Sequence, residues 1–231
     1  AGDFGPAAAR ELVQKYFGPV PPGAGKPPLA PMTVPAKFGG WRREVVEDDV
    51  MVPRLYLAFR IPPFGTDGYY AASVCGAVLG MRRGSRLHRT LVREQETASE
   101  ATAFTFDLSK GSDLLIVDVT ARPGVSVALL EAATVAQIDA VRRDGVTAAE
   151  VERAVALIET DFVSAMQSAA ERADKLSQFA TYFGDPALVN VQANRYRAVT
   201  AAQVTAFARE SLGADNRVSL VYVPRANEAA A

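Results

Sequence analysis

Histidine occurs once in this 231-residue chain, as His88, and cysteine once, as Cys75. That scarcity excludes much chemistry. A catalytic zinc site takes three protein ligands, and a zinc-peptidase helix sets two histidines four residues apart on one face, with a glutamate as general base. His88 is followed by Arg89, Thr90, Leu91 and Val92, so valine stands where the second histidine would be. One cysteine makes neither an internal disulfide nor a cysteine zinc cluster. No GxSxG elbow accompanies His88, and no P-loop or dinucleotide glycine pattern is present. The formal net charge is −1 with no basic block, so the electrostatic footprint of a nucleic-acid binder is missing. No apolar run reaches the roughly 18 residues of a membrane-spanning helix.

What remains is the composition of a globular protein, 49% apolar and 22% charged. The opening "AGDFGPAAAR" has neither the basic start nor the apolar core of a signal peptide, and reads as a strand end running into a helix, as if cut from a longer chain. Residues 6–17 predict a short helix with Pro6 in its first turn and Leu12, Val13, Tyr16 and Phe17 on one face. Seven prolines between Pro19 and Pro35 then exclude a helix or central strand, and residues 19–40 read as a semi-rigid linker. The expected organisation is a tail of a preceding domain at 1–18, the linker, a main domain at 41–225 and a disordered tail at 226–231. The composition fits either cytoplasm or periplasm.

Within the main domain, "WRREVVEDD" and "PRLYLAFRIP" read as a pair of strands, the second covered on both faces. Residues 67–81 predict a helix capped by Asp67, with Tyr70, Val74, Cys75, Val78 and Leu79 on its apolar stripe. Cys75 in that stripe reads as a small core residue, not a nucleophile. Residues 85–95 predict a second helix with Leu87 and Leu91 inward, and "ASEATAFTFDL" and "DLLIVDVTAR" a hairpin turned by "SKGSD". A helical run follows from residue 124. Thr147 with Glu150, and Thr200 with Gln203, have capping-box spacing. "NRVSLVYVP" is a last strand. Strands grouped apart from helices predict an α+β fold, a mostly antiparallel sheet with helices packed on one face. The acidic "EVVEDD" reads as a solvated strand edge, and "REQETASEA" as the exposed face of an amphipathic helix.

These stretches, in this order, resemble the pitrilysin (insulinase) family of zinc metallopeptidases, which includes the mitochondrial processing peptidases. "GDFGPAAARELVQKYFGPVP" looks like the close of that family's first homologous domain. "PRLYLAFRIP", "DGYYAASVCGAVLG" and "GSRLHRTLVRE" look like its second, and "FGDPALVN", "VTAAQVTAFARESLG" and "NRVSLVYVP" like its closing segment. The resemblance spans essentially the whole chain. It implies a non-catalytic half that encloses and binds unfolded peptide, while the HxxEH zinc motif lies in an N-terminal catalytic half or a partner subunit. It implies no metal in this chain and zinc in that missing half.

Many active relatives offer an arginine and, seven residues on, a tyrosine to hold substrate near the zinc. The match puts Val92 and Ser99 at those places. Neither performs that role, which leaves Arg89, Arg93 and Ser99 as the candidate substrate-binding residues, with no catalytic residue. On an α-helix Arg93 would point about 100° away from Val92. The resemblance equally allows a proteolytically inactive scaffold or assembly subunit of the same fold.

Overall fold

The computed structural model describes residues 2–25, 32 and 34–225; the expected tail at 226–231 and part of the linker reading lie outside the described residues. The chain separates into two compact units. One combines the described residues up to 32 with Phe162–Val189; the other runs from Val34 to Asp161 and resumes at Asn190.

The first unit is helical. Helix α1 (Pro6–Phe17) starts on Pro6, as its fixed φ favours, but buries no residue. Leu12, Val13, Tyr16 and Phe17 are all more than half exposed. Helix α5 (Ala169–Phe183) is capped by the Ser168 side chain and stopped by Gly184 at φ 74°. Its one buried residue is Phe179, whose ring leans on Phe183 at 5.8 Å.

The second unit holds a five-stranded sheet. Strands β1 (Arg42–Asp48), β2 (Arg54–Ile61), β3 (Ala98–Thr105), β4 (Asp113–Ala121) and β5 (Arg217–Pro224) lie in the order β1-β5-β2-β4-β3. All neighbours are antiparallel except β1 and β5. Helices α2 (Asp67–Gly80), α3 (Val127–Asp144), α4 (Ala148–Ala165, its last residues in the first unit), α6 (Gln192–Arg197) and α7 (Ala201–Ser211) complete the chain. This is the expected α+β architecture. Leu55, Leu57, Phe59 and Ile61 of β2, with Leu115, Val117 and Val119 of β4, form the buried face. Against it lie α2, α3 and α7, contributing Tyr70, Val74, Leu79, Leu130, Ile138, Val204 and Phe207.

Four expectations are corrected. The first two strands do not pair with each other, because β5 returns from the far end of the chain and inserts between them. Strand β2 is fully buried on one face only: Tyr56, Ala58 and Arg60 alternate with the core residues and are half-buried on the helix-free face. Helix α2 is capped by Thr66, whose hydroxyl accepts from the Tyr69 amide, while Asp67 supplies first-turn charge. The third strand ends at Thr105 rather than Leu108. There the buried Asp113 carboxylate accepts the amides of Phe106 (3.2 Å) and Leu108 (3.0 Å), and Asp107 takes a positive φ of 61°. Both expected capping boxes form, Thr147 with Glu150 and Thr200 with Gln203.

Candidate functional site, a basic cleft at the head of strand β3

Residues 85–95 are helical, but His88–Glu94 form a π-helix, in which the Gln95 amide reaches back to the Thr90 carbonyl at 2.8 Å. Hydrogen bonds spanning five residues widen the turn and stack side chains five apart. On an α-helix residues 88 and 93 would be splayed by about 140°; here His88, Val92 and Arg93 all line one cleft. Leu87 and Leu91, both wholly buried, hold the opposite side against the core.

The segment is tied at both ends. At its start the Arg86 guanidinium makes a two-pronged bond to Glu150 (2.7 and 2.8 Å) and donates to the Gly145 carbonyl at 2.9 Å. That hydrogen-bonded pair holds the Glu150 carboxyl down at about 2, against a partial desolvation that pushes the other way. At its end Arg122 donates to the Val92 carbonyl (3.1 Å) and the Ala98 carbonyl (3.3 Å). Between them Glu96 adopts φ 53°, and β3 opens with a bulge at Ser99, whose hydroxyl donates to the Thr120 and Ala121 carbonyls. A π-turn, a left-handed non-glycine residue and a bulge in succession are local irregularities that concentrate at functional sites.

Together these place Arg83, His88, Val92, Arg93 and Ser99 around an open cleft of about 570 Å³. Of the expected residues, Arg93 and Ser99 are brought together. Arg89 is not: it is exposed outside the lining and faces Glu94 at 3.7 Å. On the π-turn both Val92 and Arg93 line the cleft. Arg83 and His88 were missed, since neither has a motif, and the five-residue interval linking His88 to Arg93 has meaning only on a π-helix. Among the described residues Arg83 and Arg93 have no carboxylate partner, and the solvent-shielded Nδ1 of His88 has no hydrogen-bond partner.

Cys75 is not among the residues that line the cleft. Cys75 is wholly buried in α2, where desolvation pushes its thiol up to about 12, so almost no thiolate exists at neutral pH. Among the described residues no three of His, Cys, Asp and Glu gather where they could hold a metal ion, and no helix is long and apolar enough to cross a membrane.

A second polar cluster lies at the other end of β3. The Tyr69 hydroxyl bonds Asp107 and Thr105, the latter at 2.9 Å, and Tyr70 donates to Gln192 at 2.7 Å. Burial raises the pKa of both phenols. Every hydroxyl is satisfied within the fold, so this network fastens α2 to the β3–β4 turn and to α6.

The family profile of the peptidase M16 inactive domain matches residues 1–158. The chain is 26% identical over 182 residues to the zinc protease PqqE of Helicobacter pylori, covering 78% of this chain and 40% of that protein. A solved protease from Helicobacter pylori shares its fold at a TM-score of 0.81 and 20% identity, over 96% of this chain and 53% of that one. A solved peptidase M16 inactive domain from Pseudomonas fluorescens does so at 0.72 and 19%, over 97% and 52%. The chain thus spans about half the length, or less, of these relatives. A chain whose sheet carries its helices on one face and whose sequence matches over 158 residues belongs to the peptidase M16 inactive-domain family, the non-catalytic module of the insulinase-type zinc proteases.

Proposed function

We propose that this chain is the non-catalytic half of a zinc metalloendopeptidase that encloses and binds unfolded peptide. The zinc and its HxxEH motif would be carried by an N-terminal catalytic half or a partner subunit. The observation that carries this reading is the edge position of β3, paired on one side by β4 and starting at the basic cleft. An extended peptide can add to such an edge, its backbone N–H and C=O groups continuing the ladder. Arg93 and Ser99 would contact the peptide where it enters, and Arg89, outside the lining, would act through its charge at the rim.

The test is amide hydrogen exchange on the chain with and without an extended, unstructured peptide. Protection gained across 98–105 and absent from 42–48 is expected. Unchanged exchange at β3, or protection at β1 instead, overturns the reading. A second reading, a scaffold or assembly subunit, draws on Val92 and Ser99 standing where active relatives offer arginine and tyrosine. It predicts unchanged β3 exchange with any peptide and protection only on adding a folded partner.

A further inference from the structure

We infer that the cleft at the head of β3 is a carboxylate-binding site, so that the peptide received along this edge carries an acidic group near the point where it enters. The inference rests on the peptide-binding reading of the same edge and adds what that reading leaves open, the chemistry of the occupant.

Three observations carry it. First, the charge is unanswered. Several arginines of this unit are matched by carboxylates: Arg54 by Asp118, Arg82 by Asp161, Arg86 by Glu150 and Arg197 by Glu159. Arg83 and Arg93 line one cleft with no such partner among the described residues. Second, the carboxylates of the segment itself are turned elsewhere. Glu94 faces Arg89 at 3.7 Å and Glu96 faces Arg122 at 3.5 Å. Third, His88 lines the cleft, and its shielded Nδ1 has no hydrogen-bond partner within the protein. A buried polar atom left alone is what a ligand oxygen or a bridging water satisfies.

Two planar guanidinium groups lining one cleft suit a carboxylate, which they can grip in bidentate fashion, better than a neutral amide. The occupant is peptide and not a free small anion because the cleft is open and continues into the unpaired β3 edge. A carboxylate held there places the following residues beside Ala101 and Ala103, with the exposed rings of Phe104 and Phe106 beyond.

Fluorescence anisotropy on the purified chain tests this with a labelled, extended apolar peptide containing one glutamate. Matched versions carry glutamine in its place, or a C-terminal amide in place of the free carboxylate. Loss of the relevant carboxylate is expected to weaken binding roughly tenfold. In the double variant Arg83→Gln/Arg93→Gln the same change should have no further effect, as in a double-mutant cycle. Weakening by glutamine assigns a side-chain carboxylate, weakening by the amide a terminal one, and either supports the site. All peptides binding alike overturns the carboxylate inference and leaves the peptide reading standing; no peptide binding at all overturns both. Both arginines are exposed, so thermal unfolding followed by circular dichroism should be unchanged in the double variant. A discrimination that survives in a folded double variant places the carboxylate elsewhere and sinks the inference.

Discussion

Strand β1 closes one side of the sheet with Arg42, Arg43, Glu44, Glu47 and Asp48 among its seven residues, whereas β3 closes the other with Glu100 as its sole charge in eight. Charged edge strands resist the approach of another backbone, because pairing would desolvate those side chains. Strand β1 is also anchored from outside the ladder: Trp41, just before it, donates to Ser219 at 3.0 Å, and Arg43 pairs with Glu131 at 2.9 Å. Strand β3 is anchored only at its two ends, by Arg122 on the Ala98 carbonyl and Tyr69 on Thr105, and lacks the charges of β1. Its bulge lies at the cleft, and its far end leads to exposed Phe104, Phe106 and Leu108. An edge with a single charge and exposed aromatic rings at its end is an aggregation liability unless something is meant to cover it. The difference between the two edges is therefore the physical basis for assigning peptide to one and not the other.

The largest perturbation of that difference comes from Gly80, at the end of α2. A Cβ there would stand 2.0 Å from the Ala103 nitrogen and 2.4 Å from the Thr102 carbonyl carbon, so the helix lies directly on the β3 backbone. Gly80→Ala forces helix and strand apart and should destabilise by about 3 kcal/mol. Calorimetry should show a fall in melting temperature of roughly 5–10 °C. Hydrogen exchange at a temperature below the transition should accelerate in 98–105 more than in 42–48. Equal acceleration on both edges would mean that β3 is not separately held by α2.

A smaller effect is expected at the cleft's anchor. The Glu150 carboxyl titrates at about 2 in the folded chain, below its ordinary 4.5. Its folded-state value is depressed, so the linked stability is fully present above pH 4.5 and is lost as pH falls toward 2. Glu150→Gln, which leaves the half-buried Arg86 without its carboxylate, should cost about 2 kcal/mol at pH 7. The gap between variant and parent in urea unfolding should close as pH approaches 2. A gap that persists undiminished at pH 2 would show that the loss comes from packing and not from the charge pair. In either case the damage belongs to the π-helix and the head of β3, and the stability of the β1–β5 pairing should not discriminate the variant.

The division between local and non-local interactions decides what the sequence makes legible. Periodicity and capping chemistry locate α2, α3, α7 and the strands, because Thr147–Glu150 and Thr200–Gln203 interact within one turn. Cys75 reads as core from its stripe alone. The insertion of β5 between β1 and β2 is invisible locally, since residues 42–48 and 217–224 meet only when the whole layer forms. The cleft is legible in part. Arg93 and Ser99 stand out by position, but Arg83 and His88 join them only through a π-turn, whose extra residue no propensity marks. The anchors Arg86–Glu150 and Arg122–Val92 span 64 and 30 residues, beyond the reach of any pattern. Where the backbone breaks its own rules, at Glu96 and Ser99, sequence reading stops.

The smallest change in stability should accompany the sharpest test of the two edges. Phe104 is 42% exposed on β3, and its ring meets Phe106 edge-on at 5.4 Å. Phe104→Lys removes that contact and writes on β3 the charge that protects β1. Because the side chain points to the helix-free face and already meets water, unfolding free energy should move by no more than about 0.5 kcal/mol. Peptide affinity should fall roughly tenfold, since an edge lysine must be desolvated when a strand is added. Val45→Lys is the matched change on β1, where Val45 is 48% exposed, and should leave peptide affinity unaltered. Equal losses from the two substitutions would mean that charge acts through the general field of the sheet. No loss from Phe104→Lys would mean that peptide does not lie along β3, and the contrast between the edges would then reflect only how each resists self-association.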